Sequence, residues 1–164
     1  MEKERKVTDF LVSKTDTKGK ITYCNAAFIE ISGYREKELL GKAHSIVRHK
    51  DMPRSVFKFL WDEITQKREV NVYVKNRTKD GEFYWVFANV TPSVDVKNNI
   101  IGFHSVRRKP NPQGLEKIQE FYKALREAEA SGGIKAGEAL FKEHFATSQD
   151  YNSFVLELQV KRGE

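Results

Sequence analysis

The chain has 164 residues, which is close to the usual size of one domain with an appended element. Its 11 Phe, 6 Tyr and 2 Trp residues indicate a folded core and exclude a disordered chain. The net charge of +6 comes from 29 basic and 23 acidic residues that are interspersed, whereas nucleic-acid-binding proteins more often have a one-sided basic surface. We therefore expect no nucleic-acid partner, and we interpret the densest basic cluster, residues 107–109, as a solvated strand end or a protein contact.

The single cysteine, Cys24, excludes an internal disulfide and a zinc site made of cysteines alone. The N-terminal sequence is charged and has no apolar segment typical of a secretion signal. No stretch approaches the roughly 18 apolar residues that a transmembrane helix needs. These features predict a soluble, cytoplasmic protein that does not insert into a membrane.

The first half of the chain predicts a hairpin followed by helices. Weak alternation over residues 8–15, a turn at 16–19 and an apolar run at 21–24 predict two strands. Asn25 suits the N-cap of a short helix that ends at Gly33. After two brief helical turns, a longer helix from Pro53 to Lys67 is expected, and its apolar face contains Val56, Phe57, Leu60, Trp61 and Ile64.

Three strands follow, at residues 70–76, 83–90 and 100–106, separated by turns at 78–81 and 98–99. This order predicts an α+β fold, with a five-stranded antiparallel sheet and short helices on one face. After Pro112 the pattern is helical only, with three amphipathic stripes and a break at residues 131–133. We therefore expect an N-terminal tail (1–8), a sensor domain (9–109) and a helical C-terminal extension (110–164).

Several segments together resemble a PAS domain: residues 25–28 (NAAF), 31–34 (ISGY) and 38–41 (ELLG). The block VRHKDMP at residues 47–53 is more specific. With VKNR at 74–77, YWV at 84–86 and SVR at 105–107, it is similar to the PAS domain of aerotaxis receptors and to the stand-alone PAS partners of bipartite energy-taxis receptors, the CetB type. The resemblance covers residues 10 to 125.

Members of this family bind FAD and report the redox state of the electron-transport system to a chemotaxis signalling domain. The resemblance therefore implies a flavin-binding PAS redox sensor whose partner is a membrane-bound methyl-accepting chemotaxis receptor, and we expect a homodimer. The sequence contains no Gly-rich phosphate loop, no metal-ligand spacing and no nucleophile with a nearby base, so we expect neither an enzyme nor a metal site.

The phosphate-bearing part of FAD needs cations or backbone donors. Arg48 and His49 precede the longer helix and could contact the phosphates or the adenine, with Asp51 orienting them. The alternative is structural: Asp51 caps that helix, and Arg48 and His49 are solvated.

The flavin ring needs a flat apolar slot and polar groups at one edge. The resemblance implies that Asn76 bonds that edge, and a turn-entry role for Asn76 is the alternative. Trp61, Val86 and Ala88 complete the predicted slot, because Tyr84, Val86, Ala88 and Val90 share one strand face. Trp85, Phe87 and Asn89 then point outward, and we interpret that face as a dimer or partner surface. The chain has Val70 where related sequences have an aromatic residue.

Two histidines are further candidates. His104 belongs to the inward set if Phe103 faces outward, and His44 occupies the place of the photoreactive cysteine of light-sensing relatives. His104 could bond a flavin edge, although a lone strand histidine is more often a structural residue, and His44 could line the pocket or equally lie on the surface.

Three alternatives to FAD remain open: FMN, a haem held by His44, His49 or His104, and a cofactor-free dimerisation or docking module. The C-terminal helices either pack back on the sheet, form a dimer or dock a receptor.

Overall fold

The computed structural model of the chain describes residues 2–161. Its five strands are β1 (Leu11–Thr15), β2 (Ile21–Cys24), β3 (Val70–Arg77), β4 (Phe83–Val94) and β5 (Ile100–Arg108). Between β2 and β3 lie α1 (Ala26–Ser32), α2 (Glu36–Leu39), a 3-10 helix (His44–Val47) and α3 (Arg54–Thr65). Two further helices follow β5, namely α4 (Pro112–His144) and α5 (Ser148–Val160).

The strands form one antiparallel sheet in the order β2-β1-β5-β4-β3. Because β2 and β3 lie at opposite edges, the helical segment between them has to cross one face of the sheet. We call this the inner face. The predicted five-stranded antiparallel sheet with short helices on one face is confirmed.

Local signals explain the ends of α1. The Asn25 side chain accepts hydrogen bonds from the backbone N–H of Phe28 (3.0 Å) and of Val12 (3.1 Å), so it caps α1 and ties it to β1. Gly33 ends the helix with φ 76°, a left-handed conformation that glycine adopts without strain. Both features match the sequence prediction.

α4 is a helical hairpin, because the chain reverses at Gly133 (φ 74°, ψ −171°). The rings of Phe121 and Phe141 are 5.8 Å apart, whereas a straight helix would separate two residues at this spacing by about 30 Å. The predicted break at residues 131–133 is confirmed.

The α4 hairpin and α5 cover the β3–β4 half of the outer face. The Tyr122 hydroxyl donates to the Tyr73 carbonyl (2.6 Å), and the Tyr151 hydroxyl donates to the Asn71 carbonyl (2.7 Å). The ring of Trp85 lies 6.2 Å from that of Tyr122.

The prediction that this part of the sheet is an uncovered dimer or partner surface is therefore wrong. Trp85 and Phe87 are 6% and 4% exposed, because the chain's own C-terminal helices pack over them. Asn89 is half-buried, and its amide donates to the Asn71 side-chain oxygen (3.0 Å).

Part of the predicted tail is ordered against the sheet. The Phe83 N–H donates to the Lys3 carbonyl (2.9 Å), the Arg5 N–H donates to the Phe83 carbonyl (2.7 Å), and Val7 is buried. Residues 1 and 162–164 of the predicted terminal segments lie outside the described residues. Within residues 2–161, no helix combines the length and apolar character needed to cross a membrane.

Candidate functional site

A cavity of about 250 Å³ lies between the inner face of the sheet, α3 and the 3-10 helix. α3 contributes apolar side chains that recur every three or four residues, namely Phe57, Leu60, Trp61 and Ile64. The sheet contributes Val74, Val90 and Phe103. The cavity therefore has apolar walls on two opposite sides, which is the arrangement expected around a flat ring system.

Trp61 lies at the mouth of this cavity, as predicted for a residue of the slot. Its ring is 5.5 Å from that of Phe103, yet the residue is 43% exposed. A substituent that extends out of the cavity would therefore contact Trp61.

One end of the cavity is polar and contains Asn76, Ser105 and Arg107. With its amide oriented by its hydrogen-bond partners, Asn76 donates to the Val47 carbonyl (3.1 Å) and accepts from Arg107 Nη1 (2.9 Å). Arg107 Nε also donates to the Ser105 hydroxyl (3.1 Å). The prediction that Asn76 faces inward is correct.

Arg107 is a buried cation whose partners are neutral. It is 7% exposed, and no carboxylate among residues 2–161 forms a salt bridge with it. Burial lowers the pKa of Arg107 to about 10, so the guanidinium stays protonated at neutral pH. Burying a cation without a counter-charge is costly, so this end of the cavity favours a ligand that presents oxygen acceptors or negative charge.

The placement of Arg107 corrects the interpretation of residues 107–109 as solvent-exposed. Arg108 and Lys109 are exposed, but alternation along β5 turns Arg107 inward. From the sequence, Arg107 was assigned to this basic cluster and to the SVR motif at residues 105–107, and not to the ligand site. The signal that could have identified it was its two-residue spacing from Ser105, which puts both side chains on one face.

His44 also lines the cavity. Its Nε2 is hydrogen-bonded to the Ser13 hydroxyl (2.9 Å), and its ring packs edge-on against Phe28 with centroids 5.6 Å apart. Desolvation, reinforced by the charge of Arg107, lowers the pKa of His44 to about 3. His44 is therefore neutral at physiological pH and offers a hydrogen bond without a charge.

His49 and Asp51 do not line the cavity, and their contact with the phosphate-bearing part of FAD stays a prediction. His49 is 2% exposed; its Nε2 bonds the Glu2 carboxylate (2.8 Å), and its Nδ1 accepts from the Asp51 N–H (3.0 Å). The Asp51 carboxylate pairs with Lys75 Nζ (3.0 Å). Both residues instead hold the segment before α3 against the N-terminal segment and β3.

The structural alternative for Asp51 is wrong, because a distant residue caps α3. Glu129 of the α4 hairpin accepts from the backbone N–H of Arg54 (2.8 Å) and of Ser55 (3.2 Å), and from the Ser55 hydroxyl (2.7 Å). The N-cap position itself is Pro53, which makes no side-chain cap. Glu129 thus binds the first turn of the helix that forms one cavity wall.

Arg48 remains a candidate at the rim. Its guanidinium lies over the Phe57 ring, 3.5 Å from the centroid, and the residue lines the cavity. Arg48 is an exposed residue, and partial desolvation of its guanidinium lowers its pKa. Stacking on Phe57 directs this cation toward the rim of the cavity, and its role in phosphate binding stays a prediction.

Val86 and Ala88 are on the inner face, as predicted, but do not border the cavity. Val86 pairs with Val74 and Ala88 pairs with Arg107, and both are fully buried. Of the predicted inward residues of β4, Val90 is the one that lines the cavity.

His104 was predicted to face inward only if Phe103 faced outward. Phe103 instead faces the cavity and packs on Trp61. His104 borders the cavity, but alternation places its side chain on the opposite face, level with Lys14 and Thr91. Of the three histidines considered as haem ligands, His49 is therefore outside the cavity and His104 faces away from it.

A family model described as the PAS fold matches residues 8–108. The chain belongs to the PAS family. It is similar to the aerotaxis receptor of Escherichia coli, with 37% identity over 127 residues, which is 77% of this chain and 25% of the receptor. It is also similar to the nitrogen fixation regulatory protein of Klebsiella pneumoniae, with 26% identity over 59% of this chain and 20% of that protein.

This PAS chain thus spans a quarter or less of the length of these two relatives. Among solved structures it is similar to the LOV domain of the blue-light activated histidine kinase from Erythrobacter litoralis. The TM-score is 0.56 at 20% identity, over 62% of this chain and 96% of that domain. This similarity shows the shared fold.

Proposed function

We propose that this PAS chain is a non-enzymatic redox sensor that binds FAD in the cavity and signals by contact with a separate protein. The observation that supports it best is the buried Arg107 guanidinium, which is joined to Asn76 at the polar end of a cavity with two apolar walls. The 37% identity to the aerotaxis receptor supports the same function.

The residues of the cavity fit a flavin. An isoalloxazine ring has apolar faces and a pyrimidine edge with carbonyl oxygens and ring nitrogens. The walls formed by Leu60, Ile64 and Val74 match the faces, and Asn76 with Arg107 matches the edge. A cavity of about 250 Å³ suits the ring system better than a whole dinucleotide, so the phosphate-bearing remainder would extend past Arg48 at the rim.

A bound flavin would supply reversible electron transfer, which changes the charge and protonation of its ring. Arg107 would favour the more negative form, because a fixed cation in a low-dielectric site stabilises nearby negative charge. Asn76 can exchange donor for acceptor by rotating its amide, and its present partners are Val47 and Arg107. A rotation would change the contact between β3 and the 3-10 helix, and so shift the population between two packings.

The identity of the cofactor is tested by the absorbance of the gently purified protein, followed by mass spectrometry of the released molecule. We expect a flavin spectrum and FAD. A haem spectrum, or a colourless protein that takes up no added flavin, would contradict the proposal.

The residue roles are tested by Arg107→Met, with Arg108→Met as the matched control on the other face of β5. We expect Arg107→Met to weaken flavin binding by about tenfold or more and to lower the midpoint potential, because a charged hydrogen-bond donor is lost. The control should change neither. Equal binding and equal potential in both variants would remove Arg107 from the site.

Arg48→Ala separates the phosphate contact from the ring contact. We expect weaker binding of FAD and unchanged binding of riboflavin, which has no phosphate. If both ligands lose affinity equally, Arg48 supports the ring or the fold instead.

We further propose that residues 9–109 form the sensor unit, that the protein is cytoplasmic, and that its output reaches a membrane-bound methyl-accepting chemotaxis receptor. A strain without this protein should lose its migration in an oxygen gradient. The wild-type chain should restore it, and Arg107→Met should not. Full restoration by Arg107→Met would contradict the link between the cavity and the output.

A further inference from the structure

The C-terminal helices leave the β1–β2–β5 half of the outer face uncovered. We call this half the open face and define it by Phe10, Val12, Lys14, Tyr23, Val106 and Arg108. Phe10 is 59% exposed and Tyr23 is 47% exposed. We infer that the open face is the docking surface for an acidic, partly apolar segment of another protein.

Strand register places these side chains on one surface. Lys14 lies opposite Tyr23 on β2 and opposite His104 on β5, and Val12 lies opposite Val106. The neighbouring inward residues, Ser13 and Ser105, are buried on the cavity side, so the alternate residues face outward. The open face is thus the outer side of the strands whose inner side lines the cavity.

The charge of the open face has one sign. The sequences of β1, β2 and β5 contain no aspartate or glutamate. Lys14 and Arg108 are exposed, and neither forms a salt bridge with another of residues 2–161. Carboxylates of a partner would therefore complete this surface.

Each cation is placed beside an exposed aromatic ring. Lys14 Nζ lies 5.7 Å from the centre of the Tyr23 ring, and the Arg108 guanidinium lies 5.4 Å from the centre of the Phe10 ring. Cation–π contacts at these distances hold both groups against the sheet. Apolar and positive groups therefore alternate on this surface. A partner surface on which apolar and negative groups alternate would match it.

This alternation distinguishes the proposed partner from two other occupants. A second copy, bound about a twofold axis, would bring the same positive surface against Lys14 and Arg108. A membrane-binding surface separates an apolar face that enters the bilayer from a basic face that meets the headgroups. Here the aromatic rings and the cations lie side by side, which favours a protein partner with carboxylates.

This inference rests on the proposed sensor function in one respect: the docked protein is the one that receives the signal. Its position supports that role, because β1 and β5 present Ser13, Ser105 and Arg107 to the cavity and Lys14 and Arg108 to the open face. A change in the cavity would therefore reach the partner through the thickness of one sheet.

The test uses the full chain and two synthetic amphipathic helical peptides, each with leucine on one side and either glutamate or lysine on the other. We expect the Leu/Glu peptide to bind and the Leu/Lys peptide not to bind. The double variant Lys14→Glu/Arg108→Glu should weaken binding of the Leu/Glu peptide by about tenfold or more. The control Lys37→Glu/Lys117→Glu makes the same change in net charge at two exposed residues of α2 and α4, and should leave affinity within about twofold.

Four results would overturn the inference. The first is a control that weakens binding as much as the double variant, and the second is a Leu/Lys peptide that binds as tightly as the Leu/Glu peptide. The third is tighter binding of the chain, through Lys14 and Arg108, to phosphatidylglycerol vesicles than to the acidic peptide, which would indicate a membrane surface. The fourth is a dimer in sedimentation that Tyr23→Ala abolishes, which would indicate a second copy.

Flavin content is measured in the same variants, so that the two proposals fail separately. A wild-type chain that holds flavin but does not bind the Leu/Glu peptide contradicts only the docking surface. Localised peptide binding in a protein that takes up no flavin contradicts only the cofactor.

Discussion

The two faces of the sheet are packed in different ways. On the β3–β4 half of the outer face, the aromatic residues Tyr73, Trp85 and Phe87 are covered by the α4 hairpin and α5, and the tyrosine hydroxyls that reach the sheet find backbone carbonyls. On the inner face, a cavity of about 250 Å³ remains, and Arg107 is buried beside it without a carboxylate. One face is packed for stability, whereas the other retains space and an uncompensated charge.

This difference indicates where the sequence serves something other than stability. A cavity and a buried cation both reduce the free energy of unfolding, and apolar side chains could replace them. Sites that lower stability in this way are typical of ligand binding, because the ligand supplies the missing contacts. Substitutions on the outer face should therefore lower the free energy of unfolding more than they change ligand affinity. Substitutions at the cavity should change ligand affinity more than the free energy of unfolding.

The largest effect is expected on the outer face. Tyr122→Ala should lower the free energy of unfolding by about 3–5 kcal/mol, because it opens a cavity in a fully buried aromatic layer. Urea denaturation measures it, with the exposed neighbour Lys123→Ala as control. Flavin binding per folded molecule should change less than in Arg107→Met, because Tyr122 does not border the cavity. A loss below about 1 kcal/mol would show that the hairpin is only loosely attached.

Glu129→Ala should cost about 1–3 kcal/mol, because three donors at the start of α3 lose their acceptor. Glu129→Gln should cost less, and Glu127→Ala, an exposed residue of the same helix, should cost little. Hydrogen exchange of the Arg54 and Ser55 amides locates the effect. Unchanged protection in Glu129→Ala would mean that the cap does not hold α3.

The pH dependence of stability tests the inner face. His44 has a pKa of about 3 in the folded chain, against about 6.5 when unfolded, so the unfolded state binds more protons between these values. Neutral His44 therefore contributes fully to the free energy of unfolding above about pH 6.5. This contribution is lost as the pH falls toward 3, by roughly 1 kcal/mol per pH unit.

His44→Gln should flatten this slope in urea denaturation at about pH 7, 5.5 and 4.5, and His104→Gln should retain it. A slope that is the same in wild type and in His44→Gln would show that His44 is solvated.

The smallest effect on stability is expected for Arg107→Met without ligand. The substitution removes a buried charge but leaves Asn76 and Ser105 without a donor, so the two contributions oppose each other, and the change should lie within about 1 kcal/mol. A loss comparable to that of Tyr122→Ala would contradict the difference between the faces, because Arg107 would then be a stabilising core residue.

Features determined by neighbouring residues were predictable from the sequence. The cap at Asn25, the stop at Gly33 and the reversal near Gly133 depend on backbone preferences of single residues. The apolar face of α3 follows from its helical spacing, and that face forms a cavity wall. The fold was predictable because such signals occur in an order typical of one family.

Features determined by contacts between distant residues were not predictable from the sequence. Alternation separates the two faces of a strand, but it does not reveal which face another helix covers, so Trp85 and Phe87 were assigned to an uncovered surface. The position of His49 depends on Glu2, and the cap of α3 comes from Glu129, which is 74 residues after Ser55 in the chain. Arg107 was missed because alternation along β5 does not show which set of side chains faces the cavity, and an inward His104 would have turned Arg107 outward.

α3 connects the cavity to the C-terminal helices. It forms a cavity wall through Leu60 and Ile64, and its first turn binds Glu129 of the α4 hairpin. A ligand that moves this helix changes the equilibrium constant for docking of the hairpin. Docking of the hairpin then changes the affinity for that ligand by the same factor. Partners that hold the C-terminal helices would thereby tune the sensitivity of the sensor without entering its cavity.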